Sequence, residues 1–270
     1  MSEQFLKGKT ALVTGSVQGI GLAVAERLAH AGAAIVLHGL ASADVARAAE
    51  ASLRECGAAD VLFCDHDLRD PEAIDALMDR ALAWRGGVDI AVNNAGIQHT
   101  APLVDMPRDR WDAIIAINLS AAFHVMRRAL PGMIDRGYGR VVNIASVHGL
   151  VASAQKAPYV AAKFGLVGLT RVAALECAAA GNRDSGGVTA NCIAPGWTET
   201  AIIEPQILAR AERFSGDRTA AVQDLLREKQ PSLRMSRTSE IGEVAAMLCR
   251  HWAHNMNGIT IPVDGGWTAQ

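Results

Sequence analysis

Short, continuous apolar runs alternate along this chain with longer segments in which apolar residues recur every three or four positions. The runs predict buried parallel strands, because a strand covered on both faces is apolar throughout, and the longer segments predict amphipathic helices. The predicted strands are residues 10–13, 34–37, 61–64, 89–92, 140–145, 188–193 and 260–263. This alternation predicts an α/β fold built on a parallel sheet.

The segments between these runs read as helices. They are a helix ending at residue 33, helices at 41–56, 71–84, 110–128, 171–180 and 240–250, and one that begins near residue 158. Residues 199–235 interrupt the alternation with two helical runs separated near 214–217. Because this insert follows the carboxyl end of a strand, it predicts a helical lid over a substrate. No repeat or linker is evident, so residues 1–270 are interpreted as a single domain.

Charge and composition exclude several classes of partner. The chain carries 26 Lys and Arg against 28 Asp and Glu, for a net charge of −2. Such a balance argues against a nucleic-acid surface or a polybasic membrane surface. No apolar run approaches the ~20 residues of a membrane span, and the first ten residues lack the apolar core of a signal peptide. We therefore expect a cytoplasmic protein without membrane partners.

Cysteine and histidine spacing does not indicate a metal site. The five cysteines are scattered, the eight histidines are dispersed, and neither a CxxC pair nor an HEXXH motif occurs. The cysteines are therefore interpreted as reduced, small buried residues, and we expect no metal centre.

A glycine-rich turn follows the first strand and precedes a helix. In the segment TGSVQGIG, the glycines are Gly15, Gly19 and Gly21, with Gln18 and Ile20 between them. Glycines let the backbone approach a pyrophosphate, and a helix N-terminus supplies free N–H groups and positive potential. A simple tight turn is the alternative, but the flanking strand and helix favour a dinucleotide site.

The end of the second strand bears on the choice of cofactor. It reads HGL, with neither the acidic residue that often binds the ribose of NAD nor an arginine for the extra phosphate of NADP. Gln18 also stands where a basic residue would favour NADP. The sequence favours NAD, although Arg47 lies downstream at a position that the pattern does not fix.

Two further loops are placed to complete a nucleotide site. Asp67 and Leu68 follow the third strand and could border an adenine ring, while Asp67 could also cap the next helix. The segment NNAG follows the fourth strand. Its residues Asn94, Ala95 and Gly96 can bond backbone across the sheet and leave room for a flat ligand.

The candidate chemistry lies between residues 143 and 170. Ser146 follows a strand, and Tyr159 and Lys163 are one helical turn apart on the same face. An ammonium group and the positive end of a helix both favour a phenolate, so Tyr159 could exchange a proton near neutral pH while Ser146 bonds the same oxygen. A packing tyrosine and a solvated lysine are the alternative. Both residue types are scarce in this chain, which favours a site.

Asn118 lies inside the predicted helix 110–128, where asparagine is unfavourable. It could mark a bend with a bound water that links Lys163 to solvent. A core amide with satisfied hydrogen bonds is the rival interpretation.

Together these segments resemble the short-chain dehydrogenase/reductase family along nearly the whole chain. The resemblance rests on TGSVQGIG, NNAG, Asn118, Ser146, YVAAK and APG in this order. It implies a Rossmann fold with a doubly wound, seven-stranded parallel sheet, NAD(P) across the strand ends, homotetramers and no metal in the chemistry. It also implies roles: Tyr159 as acid/base, Lys163 lowering its pKa and binding the nicotinamide ribose, Ser146 holding the substrate oxygen, and Asn118 anchoring a relay water.

The resemblance extends to cofactor and substrate positions. Pro195 and Gly196 of APG would complete the cofactor site. Longer phrases such as NNAGIQHTAPL, NIASVHGLVAS and VDGGWTA are similar to those of family members that act on small hydroxy acids. That similarity implies two sets of substrate residues. The substrate carboxylate would be held by Gln98, His148, Lys156 and Gln206. The small pocket around it would be shaped by Trp197 and Trp267. A cation and several donors beside a reacting tyrosine also suit a small anionic hydroxy or keto acid on physical grounds.

Some features leave alternatives open. Glu199 stands at the base of the lid, where an acidic residue could weaken attraction for an anion, and the first half of the lid is divergent. Another small hydroxy acid, a polyol, a steroid or a carrier-bound 3-oxoacyl group are alternative substrates. A catalytically silent nucleotide-binding sensor is an alternative of another class. It is disfavoured because Ser146, Tyr159, Lys163 and Asn118 are all present.

Overall fold

A parallel sheet of seven strands forms the centre of the protein, for which the computed structural model describes residues 4–269. Every strand pair is parallel, and the spatial order is β3-β2-β1-β4-β5-β6-β7. The strands are β1 Thr10–Val13, β2 Ala34–His38, β3 Val61–Cys64, β4 Ile90–Asn93, β5 Tyr138–Ile144, β6 Gly187–Pro195 and β7 Thr260–Val263. Each predicted strand is confirmed, with boundaries that differ by at most two residues.

Helices cover both faces of this sheet. They are α1 Gly19–His30, α2 Ala43–Glu55, α3 Pro71–Ala83, α4 Arg108–Ile115, α5 Ala121–Arg136, α6 Ala157–Cys177, α7 Glu204–Ala211, α8 Arg218–Lys229 and α9 Thr238–Leu248. Helices α1, α2 and α9 share one buried apolar cluster with the sheet, and α3, α5 and α6 share another. This is the doubly wound α/β fold that the family resemblance implies.

Two helices run further than the sequence predicts. The prediction 110–128 stops before Pro131, whereas the helical stretch continues to Arg136, because Ala129 and Met133 are fully buried in the core. The helical runs expected to begin near residue 158 and at residue 171 form the single helix α6, which ends at Cys177. In both cases burial of an apolar face outweighs local signals for a helix end.

Strand order creates a crevice beside the first strand. β1 pairs with β2 on one side and with β4 on the other, so successive connections leave its carboxyl end in opposite directions. Such a switch point is where open α/β sheets bind ligands. The turn after β1 and the loop after β4 both open into it.

The predicted insert after β6 consists of α7 and α8. Its apolar side chains form a small cluster of their own, including Ile207 and Leu225, which packs on Val147, Trp197 and Trp267. An ion pair between Glu204 and Arg218, at 2.9 Å, joins the two helices. The segment is therefore anchored against the loops that follow β5 and β6.

One helical stretch, residues 108–136, is long and apolar enough to cross a membrane by length and composition. In this structure it packs against α3, β5 and α6. Arg127 and Arg128 within it pair with Asp75 of α3 at 3.2 and 3.1 Å. Packing in the core accounts for its apolar residues.

Candidate active site

A cavity of about 420 Å³ opens along the carboxyl edge of the sheet. It extends from the turn after β1 to the C-terminal segment and is covered by the residues that enter α7. The residues predicted for a site that line it are Gly15, Gln18, Gly19, Ile20, Asp67, Leu68, Asn94, Ala95, Gly96, Gln98, Ser146, His148, Lys156, Tyr159, Lys163, Pro195, Gly196, Trp197 and Trp267. Gly21, Asn118 and Gln206 are not among its lining residues.

The glycine turn is held closely against the loop after β4. Gly15 has a φ of +62°, and a Cβ there would lie 2.9 Å from the Cα of Ala95. A Cβ on Gly21 would lie 2.2 Å from the carbonyl oxygen of Gly15. Asn94 Nδ2 donates to the carbonyls of Thr14 and Gly15, both at 2.9 Å. Gly21 therefore shapes the turn from behind.

The loop after β3 differs from the expectation in one respect. Asp67 lines the cavity, but its carboxylate binds the backbone N–H and side chain of Arg69, which lowers the pKa of Asp67. The cap of α3 is Asp70, which accepts from the N–H of Glu72 at 2.9 Å. The alternative that Asp67 caps this helix is wrong, because Asp70 directly precedes the proline that begins it.

Sequence reasoning did not identify two histidines at this end of the cavity. His38 ends β2 and His66 lies in the loop after β3, and both line the cavity. His38 Nδ1 accepts from the N–H of Gly15 at 3.1 Å, and its Nε2 donates to the carbonyl of His66 at 2.9 Å. The sequence feature that could have identified His38 is its position as the one polar residue at the end of an otherwise apolar strand.

Ser146 and His148 are brought together by the short helical turn after β5. Ser146 Oγ accepts from the N–H of His148 at 3.2 Å and lies 3.4 Å from its Nδ1. Burial, with Lys156 and Lys229 adding to it, lowers the pKa of His148 to about 3. The imidazole is therefore neutral at physiological pH, and its Nε2 is buried with no hydrogen-bond partner among the described residues.

Tyr159 and Lys163 lie one turn apart on α6, as predicted. Lys163 Nζ donates to the carbonyl of Ile144 at 2.7 Å and lies 5.6 Å from the centroid of the Tyr159 ring. Burial lowers the pKa of Lys163 to about 8. The pKa of Tyr159 is raised by burial, and a hydrogen bond with Ser146 opposes that rise. Loss of hydration thus dominates the net direction of this pKa, and the lowering expected from Lys163 stays a prediction.

Lys156 is a buried cation at the start of α6. Only 7% of the residue is exposed, and its Nζ lies 5.2 Å above the ring of Trp197. Burial lowers the pKa of Lys156 to about 8, and the negative charge of Glu228 opposes this shift without reversing it. Within residues 4–269 no carboxylate approaches it within the 4.0 Å of an ion pair. A buried ammonium that faces a cavity without a counter-ion is costly unless a ligand supplies one.

The backbone is strained at the residue that precedes Lys156. Gln155 has a φ of +65°, which costs a non-glycine residue about 1–2 kcal/mol. Its carbonyl accepts from the N–H of Ala101 at 3.0 Å. The loop before α6 is thereby fixed to the loop after β4.

Asn118 satisfies both of its interpretations in part. It lies in the π-helical turn Ala116–Ser120, which confirms a bend in the helix. Both polar atoms of its side chain also have a backbone partner, since Oδ1 accepts from the N–H of Ile97 at 2.9 Å and Nδ2 donates to the carbonyl of Ile97 at 3.0 Å. Asn118 thus supports the loop after β4 from behind.

Two residues near the lid lie away from their expected positions. Gln206 is on α7, and its Nε2 is buried with no hydrogen-bond partner among the described residues, but it does not reach the cavity. Glu199 is exposed and faces a separate hollow between the segment before α7 and α8. The cavity lining instead includes Thr200, Ala201 and Ile202, which the sequence did not identify because their packing depends on the lid.

No cluster of three His, Cys, Asp or Glu side chains that could hold a metal ion occurs in the described part of the chain, residues 4–269.

Comparisons with known proteins agree with this arrangement. The family model described as short chain dehydrogenase matches residues 9–210. D-beta-hydroxybutyrate dehydrogenase of Cupriavidus necator is 48% identical over 98% of this chain and 100% of the relative. The enzyme of the same name from Rhizobium meliloti is 41% identical over 97% of this chain and 99% of its own.

Solved structures give the same result. L-sorbose reductase from Gluconobacter frateurii, complexed with NADPH and L-sorbose, superposes with a TM-score of 0.91 at 29% identity, covering 100% of both chains. Levodione reductase superposes with a TM-score of 0.87 at 31% identity, covering 98% of this chain and 99% of that one. The chain therefore belongs to the short-chain dehydrogenase family, whose members are oxidoreductases that use a nicotinamide cofactor.

Proposed function

We propose that this enzyme interconverts (R)-3-hydroxybutyrate and acetoacetate with NAD. The observation that carries the proposal is Lys156, a buried ammonium that faces the cavity beside Ser146 and Tyr159, with no carboxylate of residues 4–269 within ion-pair distance. A small hydroxy acid would supply that carboxylate. Two relatives named D-beta-hydroxybutyrate dehydrogenase, at 48% and 41% identity, support the assignment.

The residues at the switch point fit a dinucleotide. A Cβ on Gly21 would collide with the turn that approaches the pyrophosphate, so the backbone there is shaped for a close ligand. We assign the cofactor to Gly15, Gln18, Gly19, Ile20, Asp67, Leu68, Asn94, Ala95, Gly96, Pro195 and Gly196, with Tyr159 and Lys163 at the nicotinamide ribose. When bound, the nicotinamide ring accepts a hydride from the alcohol carbon.

NAD rather than NADP is supported by the charges at the adenosine end. Leu40, which follows β2, is 63% exposed and lines the cavity. Arg47, whose position the sequence left open, pairs with Asp44 on the exposed side of α2 and does not line the cavity. Among the described lining residues no arginine is available for a 2′-phosphate.

The proton chemistry is assigned to Tyr159 and Ser146. As the carbinol hydrogen leaves, Tyr159 accepts the hydroxyl proton, and Ser146 bonds the oxygen that becomes the carbonyl. Because burial raises the pKa of Tyr159, its ionised form needs help from positive charge at the site. Lys163 supplies that charge, and Asn118 holds the loop against which the substrate and ring are aligned.

The carboxylate end is assigned to Lys156, His148 and Gln98. Lys156 provides the charge, and neutral His148 presents its unpartnered Nε2 as a hydrogen-bond donor. Trp197 and Trp267, with ring centroids 5.5 Å apart, limit the space to a short chain. Glu199 does not face the cavity, so the acidic residue that raised doubt about an anionic substrate does not oppose one.

We also propose a cytoplasmic homotetramer. The five cysteines are free, as in a reducing compartment. Exposed apolar side chains on α5 and α6, namely Phe123, Phe164, Val172 and Leu175, are suited to contact further copies of this chain. Light scattering coupled to size exclusion measures the number of subunits, and a monomer would contradict the assembly.

The test of the function is NADH absorbance after mixing the protein with NAD and either (R)- or (S)-3-hydroxybutyrate. We expect rapid reduction of NAD by the (R)-acid, little with the (S)-acid, and a much slower reaction with NADP. Activity on polyols or neutral alcohols with silence toward both acids would contradict the proposal and leave only the family assignment.

A further inference from the structure

His38 connects the two backbone segments that form the adenosine end of the cavity. It is the last residue of β2 and only 3% of it is exposed. Its Nδ1 accepts from the N–H of Gly15 in the turn after β1, at 3.1 Å. Its Nε2 donates to the carbonyl of His66 in the loop after β3, at 2.9 Å. One imidazole therefore spans the turns that follow two different strands.

Backbone contacts hold the end of β2 in place beside this turn. The hydroxyl of Ser16 accepts from the N–H of His38 at 3.0 Å, and the N–H of Ser16 donates to the carbonyl of His38 at 2.7 Å. On the next residue, a Cβ added to Gly39 would lie 2.8 Å from a methyl group of Val17. The end of β2 is thus packed directly against the glycine turn.

The two hydrogen bonds also fix the protonation state. A backbone N–H can only donate, so Nδ1 must be unprotonated, and a carbonyl can only accept, so Nε2 must carry the hydrogen. If Nδ1 were also protonated, its N–H would point at the N–H of Gly15, and the hydrogen bond between them would break. We infer that His38 is a positioning residue whose neutral imidazole holds the Gly15 turn in its cofactor-binding form, and that protonation of this ring releases the cofactor.

Surrounding charges allow such a switch. The turn after β1, residues 14–18, contributes no ionisable side chain. The β3 side contributes Asp65, His66 and Asp67, with Cys64 opposite His38 in the sheet register. Burial dominates these influences and lowers the pKa of His38 below its usual 6.5. Cofactor affinity should therefore be constant at pH values above the lowered pKa of His38. It should fall as the pH drops through that pKa and the ring becomes protonated.

This inference rests on the nicotinamide-cofactor site and not on the choice of substrate. The first test is calorimetric titration with NAD, without substrate, from about pH 5 to about pH 8. We expect the wild type to lose affinity on the acidic side. His38→Asn keeps an acceptor for the N–H of Gly15 but cannot be protonated, so it should bind NAD as the wild type does at neutral pH and show no acid loss.

His38→Ala leaves that buried N–H without an acceptor and should bind NAD about tenfold more weakly at every pH. His30→Asn, at an exposed position on α1, is the matched control and should follow the wild type. Equal pH profiles for wild type and His38→Asn, or unchanged affinity in His38→Ala, would overturn the inference. Failure of every protein to bind NAD would instead contradict the proposed function.

A second measurement reads the tautomer of His38 in the wild-type protein and uses a variant only to assign the signal. Nuclear magnetic resonance of ring-labelled histidine reports which nitrogen carries hydrogen. At neutral pH we expect the ring of His38, identified as the signal that is missing from His38→Asn, to carry hydrogen on Nε2 alone. A proton on Nδ1 of that ring at neutral pH would contradict the inference.

Discussion

At the β1–β3 end of the cavity the groups that face a ligand are mainly backbone atoms and neutral side chains, whereas the β5–β6 end presents two buried ammonium groups. The first end depends on glycines, with Gly15 and Gly21 packed too closely for any side chain. The second depends on Lys156 and Lys163, each with its pKa lowered to about 8 by burial. Shape thus selects the ligand at one end, and charge selects it at the other.

This difference implies that substitutions at the two ends of the cavity impair different properties of the enzyme. Changes at the glycine end should weaken cofactor binding whatever the substrate. Changes at the lysine end should leave cofactor binding intact and alter turnover or the recognition of an acid. The predictions below separate these outcomes, from the largest effect to the smallest.

Removing the phenol of Tyr159 should have the largest effect. Tyr159→Phe deletes the group that accepts the hydroxyl proton, so we expect kcat to fall by about a thousandfold, as for loss of a general base. Calorimetry should give an NAD affinity within about tenfold of the wild type, because only one of the assigned cofactor contacts is lost. Turnover within a few-fold of the wild type would exclude Tyr159 as the acid/base.

Adding one methyl group at the glycine end should abolish most cofactor affinity. In Gly21→Ala the new Cβ would lie 2.2 Å from the carbonyl oxygen of Gly15, so the turn must move. We expect NAD to bind on the order of a hundredfold more weakly. Gly168→Ala is the matched control, since a Cβ there meets no atom within 4 Å. Equal NAD affinities in the two variants would contradict the close packing.

The lysine end should give a distinctive pH dependence. Lys156 is charged below its pKa of about 8 and neutral above it, so its attraction for a carboxylate is present at lower pH and is lost as the pH rises through this value. KM for (R)-3-hydroxybutyrate should rise by up to about tenfold per pH unit above that point. KM for (R)-butan-2-ol, which has no carboxylate, should not follow this curve. Parallel curves for the two alcohols would assign the titration to another group.

The smallest expected effect concerns the strained loop. Gln155→Gly relieves a left-handed backbone conformation and should raise the free energy of unfolding by up to about 1 kcal/mol. Ala154→Gly, at the neighbouring exposed position, lacks this strain and should be neutral or slightly destabilising. Denaturant unfolding of both variants measures the difference. A destabilised Gln155→Gly would mean that the glutamine side chain contributes more than the strain costs.

The sequence predicts the glycine end more completely than the lysine end, for a physical reason. A turn that only glycine can form leaves its mark in consecutive residues, so Gly15, Gly19 and Gly21 are visible in the chain. His38 is not, because its role depends on the register that places β2 beside β1 and β3. Likewise, the helix cap at Asp70 rather than Asp67 depends on where the loop after β3 ends.

At the lysine end the sequence pattern identifies most of the residues of the site, but it does not predict their pKa shifts. Spacing places Tyr159 and Lys163 on one face, yet the raised pKa of the phenol follows from burial by neighbours distant in sequence. The position of Gln206 outside the cavity depends on how α7 packs against Trp197 and Trp267. Such packing is decided by the assembled fold.

The central claim, that Lys156 binds a substrate carboxylate, is tested most directly by one ratio. We would measure kcat/KM for (R)-3-hydroxybutyrate relative to (R)-butan-2-ol in the wild type, in Lys156→Met and in Lys7→Met, an exposed control. We expect Lys156→Met to lower this ratio by roughly a hundredfold, as for loss of a buried charge-assisted hydrogen bond, and Lys7→Met to leave it unchanged. An unchanged ratio in Lys156→Met would contradict the carboxylate site.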